Sequence, residues 1–278
     1  MRIIQTVKEM KAWSAQAQRP LGLVPTMGCL HAGHMSLVRK CRSACRSSAV
    51  SIFVNPAQFG PSEDLNSYPR PLESDREMLE DAGVDVLFLP GPREIYPPGY
   101  KTYVNVEDIT SRLCGKSRPQ FFRGVATVVL KLFNIARPDA AYFGEKDWQQ
   151  LETVRTMARD LDLDVTVESL PIVREEDGLA MSSRNVYLSP EQRASALSLS
   201  RSLAAAREMF LQGERCAETI RARIKEIVEK ENARIDYVSV CDPRTFVEQE
   251  VIEGKALVAL AVWVGKARLI DNCLIERA

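Results

Sequence analysis

Residues 21–38 read LGLVPTMGCLHAGHMSLV, and this stretch decides the expected fold. Its opening residues, 21–24, form an apolar run that is typical of a buried strand. Residues 25–28 (PTMG) carry the proline and glycine of a turn, and residues 35–38 have the pattern of a first helical turn. The stretch therefore predicts a strand that passes through a tight turn directly into a helix.

The alternation of strand and helix continues to about residue 170. Further β-rich apolar runs lie at residues 50–55, 84–90, 141–144 and 165–171. Helical patterns separate them at residues 73–82, 125–137 and 145–161. Repeated βα units of this kind predict an α/β fold with a doubly wound parallel sheet of Rossmann-like type, whose ligands bind beyond the carboxyl ends of the strands.

The pattern changes after about residue 172. A polar loop at residues 174–190 precedes two long helical patterns, 191–212 and 214–231. A strand at 235–241 and a hairpin of residues 256–263 and 268–275 follow. We therefore expect two domains, residues 1–172 with the parallel sheet and residues 173–278 with a smaller α+β fold.

Charge and cysteine usage exclude several classes of function. Lys plus Arg and Asp plus Glu both number 37, and this zero net charge argues against nucleic acid or an anionic membrane as the main partner. The seven cysteines are scattered and have no metal-binding spacing, so free thiols in a reducing compartment are expected. No segment has the ~20 apolar residues of a membrane span, and the N-terminus lacks the apolar core of a signal peptide. The cytoplasm is the expected location.

Both histidines of the chain lie in the tetrapeptide HAGH, as His31 and His34, where the predicted helix begins. Imidazole exchanges protons near neutral pH, and free backbone N–H groups at a helix start favour phosphate. Gly33 would let the backbone approach such a ligand closely. In the alternative interpretation, one histidine caps the helix and the other packs.

Three other segments place polar groups near strand ends or in loops. In GEKDWQQ (residues 144–150), Lys146 offers a positive charge to a triphosphate. Gln150 lies four residues later and would share the helical face of Lys146. In the alternative interpretation, this segment is an ordinary charged first turn of a helix. The MSSRN loop (181–185) suits an anion clamp, although Ser-rich loops are common. The glutamine of NPAQF (55–59) can donate to and accept from a hydroxy acid or an amino acid.

The order of these motifs is more specific than any one of them. HxGH early and MSSR late resemble the paired HIGH and KMSKS-like signatures of the nucleotidyltransferase superfamily that includes class I aminoacyl-tRNA synthetases. Within it, five strings resemble the pantoate–β-alanine ligase (pantothenate synthetase) family: VPTMG (24–28), IFVNP (52–56), FGEKD (143–147), GLAMSSRN (178–185) and LIDN (269–272). The resemblance covers nearly the whole chain.

The resemblance implies an ATP-dependent amide synthesis with pantoate, β-alanine and ATP as substrates. Pantoate attacks the α-phosphorus of ATP to give pantoyl adenylate and pyrophosphate, and the β-alanine amine then displaces AMP. Members usually form homodimers, and magnesium is expected to bridge phosphate oxygens, with Asp75 at the family's acidic position near the ion.

The resemblance also implies roles for individual residues. His34, His31, Lys146 and Arg184 are the implied catalytic residues, with His34 in the proton-donor position. Gln58 and Gln150 would bind pantoate, and Gln58 would also lie near β-alanine. The implied ATP-binding residues are Pro25, Met27, Gly28, His31, Gly33, His34, Gly144, Glu145, Lys146, Asp147, Val173, Met181, Ser182, Ser183 and Arg184.

The chain departs from the family pattern at three positions. Phe121 stands where many relatives carry a histidine, Ala57 where they often have methionine, and Ser74 where a second acidic residue may precede Asp75. Three alternatives to the ligase stay open at this point. They are another HIGH-motif nucleotidyltransferase, an RNA-binding synthetase-like module, and an inactive nucleotide-binding protein.

Overall fold

The computed structural model describes residues 1–61 and 63–277. The strands, in chain order, are β1 (Arg2–Ile4), β2 (Leu21–Thr26), β3 (Ser47–Ile52), β4 (Val86–Phe88), β5 (Ala140–Gly144), β6 (Thr166–Leu170), β7 (Arg234–Cys241), β8 (Lys255–Val264) and β9 (Ala267–Glu276). The α-helices are α1 (Val7–Gln16), α2 (Ala32–Ala44), α3 (Leu72–Asp81), α4 (Pro92–Ile95), α5 (Cys114–Ser117), α6 (Phe121–Ala136), α7 (Trp148–Asp160), α8 (Pro190–Leu211) and α9 (Ala217–Glu229). Short 3-10 segments lie at Pro56–Gln58, Ile109–Ser111, Glu145–Asp147 and Ser183–Tyr187.

The described chain divides into two compact units. The N-terminal unit comprises Met1–Glu107, Arg118–Glu145 and Gln150–Pro171. The C-terminal unit comprises Ile172–Ala278 together with two short segments from earlier in the chain, Asp108–Ser117 and Lys146–Gln149. The boundary at residue 172 stays a prediction, and these two short segments are structural findings that local sequence patterns did not indicate.

The N-terminal unit contains the predicted parallel sheet. Its strand order is β1-β4-β3-β2-β5-β6, and every neighbouring pair is parallel. β2 and β3 are buried because both faces are covered: α6 contributes to the core cluster on one face and α2 to the cluster on the other. The strand order reverses between β2 and β5, which makes the carboxyl ends of these strands the expected ligand-binding edge.

The C-terminal unit contains an antiparallel sheet in the order β7-β8-β9. β8 and β9 form the predicted hairpin, with Val264 paired to Ala267 across the turn. One face of this sheet packs on α8 and α9, whose buried residues include Leu199, Phe210 and Ile224. These findings confirm the fold class, a Rossmann-like α/β sheet with a smaller α+β part.

The differences from the expected elements are local. β3 begins and ends three residues before the expected 50–55, and α6 begins at Phe121 rather than at residue 125. The pattern did not predict β1 or α1, because β1 has only three residues and α1 buries only Met10 and Ser14, so neither gives a strong periodic signal. Within the described part of the chain, no helix combines the length and apolar character needed to cross a membrane.

Candidate active site

Three neighbouring strands place the predicted segments of the N-terminal unit. β3, β2 and β5 are adjacent and parallel, so their carboxyl ends lie at one edge of the sheet. The HxGH segment follows β2, in which Pro25 lies, and the Asn55–Gln58 segment follows β3. Gly144 is the last residue of β5. The topology therefore brings the start of each segment to the same edge.

His31 caps helix α2, and His34 lies in its first turn. The Nδ1 atom of His31 accepts a hydrogen bond from the Gly33 N–H at 3.1 Å. Because Nδ1 is an acceptor, this ring carries its proton on Nε2 and presents an N–H there. The two imidazole rings lie 4.1 Å apart between centroids, tilted by 36°. The capping interpretation is thus correct for His31.

Asp75 holds the loop that leads into the HxGH motif. Its two carboxylate oxygens accept from the backbone N–H groups of Cys29 at 2.8 Å and Leu30 at 2.7 Å. Gly28, with φ of 83°, donates its own N–H to the hydroxyl of Thr26. These loop amides were expected to be free for phosphate, but they already have acceptors within the chain. The backbone N–H groups of residues 28–30 are therefore already used within the chain in this arrangement.

The environment of Asp75 does not fit a metal ligand. The residue is 1% exposed, and both carboxylate oxygens are engaged by the two backbone donors. Burial raises the pKa of this carboxyl, and the hydrogen bonds from Leu30 and Cys29 oppose that shift. Among residues 1–61 and 63–277, no group of three or more His, Cys, Asp or Glu side chains has the arrangement of a metal site. The protein groups therefore do not form a site for magnesium around Asp75.

Gln58 is buried, and its side-chain amide is oriented by two neighbours. Its Oε1 accepts from Asn55 Nδ2 at 3.0 Å, and its Nε2 donates to the Met27 sulfur at 3.0 Å. Asn55 is itself fixed, because its Oδ1 accepts from the Tyr96 hydroxyl at 2.9 Å and its Nδ2 also donates to the Gly124 carbonyl. Burial raises the pKa of Tyr96, so this phenol keeps the proton that it donates. A glutamine held in this way has a defined donor side and acceptor side.

Gly124 allows α6 to approach the Gln58 segment closely. A Cβ atom at this position would lie 2.5 Å from the carbonyl carbon of Ala57 and 2.7 Å from the Gln58 nitrogen. Ordinary contacts of a Cβ atom lie at 3.4–4 Å. Only glycine fits here without moving the backbone of the segment.

Gly144 and the residues after it separate into two groups. Apart from its two chain neighbours, no described residue has an atom within 4 Å of a Cβ built on Gly144, so the space beside its backbone is open. Glu145 accepts from the Ser169 hydroxyl at 3.0 Å in the N-terminal unit. Lys146 and the half-buried Asp147 belong to the C-terminal unit, whereas the half-buried Gln150 belongs to the N-terminal unit.

The expected shared helical face of Lys146 and Gln150 is wrong. Residues Glu145–Asp147 form a 3-10 segment, and α7 begins only at Trp148. A 3-10 segment turns every three residues, so a separation of four does not align the two side chains as it would in an α-helix. The residues thus lie in different structural settings, and any shared substrate would have to contact them separately.

In the C-terminal unit, the loop that carries MSSR folds back on itself. The Met181 N–H donates to the Val173 carbonyl at 3.0 Å, and Arg174 forms an antiparallel bridge with Ala180. Ser182 caps the following 3-10 segment, which contains Ser183 and Arg184, through its hydroxyl. The predicted loop residues therefore form a compact hairpin.

Lys146 and this loop line a common cavity within the C-terminal unit. The other lining residues include Ser182, Asn185 and the buried carboxylate of Asp271. Asn185 Nδ2 donates to Glu175 at 2.6 Å and to the Ala180 carbonyl. Leu179, Leu199 and Leu269 make much of the remaining lining apolar, so the cavity places Lys146 beside the loop but is not itself a phosphate pocket.

Two adjacent residues of β9, not predicted as site residues, support this arrangement. Asp271 makes a bidentate ion pair with Arg174 at 2.7 and 3.1 Å. Asn272 Nδ2 donates to the main-chain carbonyl of Lys146 at 2.9 Å. Neighbouring strand residues point to opposite faces, so β9 holds the loop on one face and the Lys146 segment on the other. In the sequence, only the LIDN string (residues 269–272) pointed to these two residues. In the structure, both of its polar residues are buried.

Gln149, also unpredicted, anchors the same segment. Its Oε1 accepts from the Cys114 N–H, and its Nε2 donates to the carbonyls of Ile109 and Arg112. Trp148 Nε1 donates to the Pro243 carbonyl at 2.8 Å. Lys146 is therefore followed by two side chains that fix its segment in the C-terminal unit.

Comparisons with known proteins agree with one another. The Pantoate-beta-alanine ligase family model matches residues 2–274. The pantothenate synthetase of Heliobacterium modesticaldum is 57% identical over 280 residues, which cover 99% of this chain and 100% of the relative. The crystal structure of pantothenate synthetase from Thermus thermophilus shares 47% identity with a TM-score of 0.94, covering 98% of this chain and 99% of that chain. A pantoate-beta-alanine ligase from Francisella tularensis, complexed with beta-gamma ATP and beta-alanine, shares 33% identity with a TM-score of 0.81, covering 99% and 97%.

Proposed function

Because the chain belongs to the pantoate–β-alanine ligase family, we propose that its predicted site residues carry out the two steps of ATP-dependent pantothenate synthesis. The overall activity is the ligation of pantoate to β-alanine with ATP as the third substrate. The roles of the individual site residues in these two steps are assigned below. The observation that carries it is the common edge of β3, β2 and β5, from which the Gln58, HxGH and Gly144 segments all start.

The first step joins a pantoate carboxylate oxygen to the α-phosphorus of ATP and breaks the bond from that phosphorus to the bridging oxygen of pyrophosphate. In the second step, the β-alanine amine attacks the acyl carbon, the bond from that carbon to the AMP oxygen breaks, and the amine loses its proton. The balance is pantoate, β-alanine and ATP giving pantothenate, AMP and pyrophosphate. Negative charge develops on the leaving pyrophosphate in the first step, so hydrogen-bond donors and cations aimed there accelerate it.

We assign the N-terminal unit to the reacting acid and to part of the nucleotide. His31 offers an Nε2–H donor, and His34 is the proposed proton donor to the pyrophosphate. Their rings lie close together, so both can face one ligand group. Gln58 and Gln150 are assigned to pantoate, with Gln58 also near β-alanine. Open space at Gly144 would accept a close ligand.

We assign the C-terminal unit to phosphate charge. Lys146 supplies a point charge, and Arg184 together with the hydroxyls of Ser182 and Ser183 supplies further donors. Lys146 and Ser182 line the same small cavity, so the two residues are neighbours within the C-terminal unit. The remaining nucleotide assignments carried over from the family resemblance are Pro25, Met27, Gly28, Gly33, Glu145, Asp147, Val173 and Met181.

Three further proposals concern the surroundings of the reaction. Magnesium is proposed to enter on the phosphate oxygens of ATP, because Asp75 is occupied by backbone donors. A homodimer is proposed from the family resemblance. The cytoplasm is proposed because all seven cysteines are free thiols, which suits a reducing compartment.

The test of the proposed sequence of steps is the dependence of AMP formation on each substrate. ATP and pantoate alone should give enzyme-bound pantoyl adenylate and pyrophosphate, and amide product should appear only when β-alanine is added. AMP release that ignores pantoate would contradict the adenylate route. Lys146→Ala should slow adenylate formation by at least about a hundredfold, as expected for the loss of one charge-stabilising group. Near-normal adenylate formation in this variant would remove Lys146 from the phosphate site.

A further inference from the structure

Arg118 has no role in the site described above, yet its guanidinium makes contacts in three directions. Nε and Nη2 each donate to one carboxylate oxygen of Glu63, both at 2.6 Å. Nη2 also donates to the main-chain carbonyl of Gln58 at 3.2 Å. The flat face of the guanidinium lies over the Phe121 ring, with its carbon 3.8 Å from the ring centroid. The group is therefore fixed in position, in tilt and in rotation.

The surroundings of this ion pair make it stronger than a typical surface pair. The Arg118 and Glu63 side chains are only 14% and 24% exposed. A bidentate, charge-assisted pair that is partly shielded from water adds geometric specificity as well as energy. Lysine cannot replace arginine here, because an ammonium lacks both the planar fork and the face that stacks on Phe121.

The same pair fixes the backbone on both sides of Phe59. Glu63 Oε2 accepts from the Gly60 N–H at 3.2 Å, while Arg118 holds the Gln58 carbonyl. The Gln58 side chain is held separately, by Asn55 and by Met27. Arg118 therefore sets where the Gln58 backbone lies, and Asn55 sets which way its amide faces.

We propose that Arg118 is a positioning residue for pantoate binding, which acts by holding the Gln58 backbone through its carbonyl, with Phe121 and Glu63 supporting the guanidinium. The inference rests on the proposed role of Gln58. Phe121, noted above as a departure from the family pattern, is the residue that supplies the stacking face.

The decisive variant is Arg118→Lys. It keeps a positive charge beside Glu63 but loses the bidentate hydrogen bonds to Glu63 and the stacking on the Phe121 ring. The KM for pantoate should rise by about tenfold or more, while the KM for ATP stays within about twofold, because only the pantoate residue loses its support. The matched control is Arg70→Lys. Arg70 also donates to a backbone carbonyl of the same loop, that of Leu65 at 3.0 Å, but it is exposed. Its KM values should stay unchanged.

Phe121→Leu gives a second test that keeps both charged groups. It removes the stacking face, so the KM for pantoate should rise by less than in Arg118→Lys but in the same direction. An unchanged KM for pantoate in Arg118→Lys, or equal rises for pantoate and ATP, would overturn the proposal. Thermal unfolding of each variant separates these effects from a general loss of the fold.

Hydrogen exchange tests the loop independently of any substrate. In Arg118→Lys, the backbone amides of residues 57–61 should exchange faster than in the parent chain, because the acceptor of the Gly60 N–H loses its anchor. Unchanged exchange would overturn the proposal. Gln58→Ala is the reference for the proposed function. If it leaves the KM for pantoate unchanged, the assignment of Gln58 fails, and the exchange result still reports whether Arg118 holds the loop.

Discussion

Replacing Gly124 by alanine is the most direct way to displace the Gln58 segment without removing a polar group. The added Cβ would lie 2.5 Å from the Ala57 carbonyl carbon, where ordinary contact requires at least 3.4 Å. The neighbouring atoms are backbone atoms, so no side chain can rotate away. The segment that carries Gln58, or helix α6 itself, must therefore shift by about 1 Å to relieve the overlap.

Two energetic effects of Gly124→Ala oppose each other. Overpacking of a buried contact costs about 1–3 kcal/mol. Alanine in a helix interior is favoured over glycine by about 1 kcal/mol, and Gly124, the fourth residue of α6, gains at most this amount. The net loss of unfolding free energy is therefore about 0–2 kcal/mol, and the protein should stay folded. Activity should suffer more, since a misplacement of about 1 Å near a reacting group can cost on the order of a hundredfold.

The assay is pantoate-dependent AMP formation at saturating ATP and β-alanine, run beside thermal unfolding. We expect kcat/KM for pantoate to fall by about ten- to a hundredfold, with the KM for ATP little changed. Asn134→Ala is the matched control, because Asn134 is an exposed position of the same helix and gains helix propensity without a new contact. Wild-type kinetics in Gly124→Ala would refute the argument that the closeness of α6 and the Gln58 segment sets the substrate site.

Three further predictions use other parts of the molecule. Gly144→Ala should leave the unfolding midpoint unchanged, because, its chain neighbours aside, the new Cβ would meet no described atom within 4 Å. A higher KM for ATP in this variant would then indicate that ATP contacts the Gly144 backbone. An unchanged KM for ATP would exclude that contact. Asn272→Ala should lower kcat for adenylate formation by about tenfold through the loss of its bond to the Lys146 carbonyl, and quenched-flow measurement of pyrophosphate checks it. Cys216 is exposed and hydrogen bonds from Thr219 lower its pKa, whereas burial raises the pKa of Cys41 to about 12. As pH rises from 6, iodoacetamide should therefore modify Cys216 first and leave Cys41 unmodified at pH 9. Mass spectrometry of the labelled peptides checks this order, and modification of Cys41 before Cys216 would contradict it.

Local pattern was enough to predict most of the fold. The apolar runs of β2 and β5 and the amphipathic stretches of α3, α8 and α9 appear in the sequence because burial imposes a pattern on each element separately. The same reasoning placed the polar segments at strand ends, since parallel strands share one carboxyl edge. The sequence pattern did not indicate β1, because a three-residue strand is too short to show a period.

The site was harder to predict wherever a role depends on a distant partner. Asp75 was interpreted as a metal-site residue. In the structure, it accepts a hydrogen bond from the Cys29 N–H, 46 residues away in the sequence. Arg118 and Glu63, 55 residues apart, gave no motif at all. Such contacts are created by the packing of elements, and no spacing in the sequence encodes them. Short-range features fared better, as the cap at His31 shows, because a cap involves only neighbours in the chain.

The interleaving of the two units limits how this chain can be divided. Leu113 and Trp148 belong to an apolar cluster with Cys241 and Phe246, yet more than ninety residues separate Trp148 from either of them in sequence. A protease cut after Pro171 would leave the first fragment with the Leu113 and Trp148 surfaces and the second with the rest of that cluster. Recombination between relatives at the same point would combine Lys146 from one parent with Asn272 from the other. A chimera that preserves the Lys146 anchor therefore has to exchange three stretches together, Asp108–Ser117, Lys146–Gln149 and Ile172–Ala278.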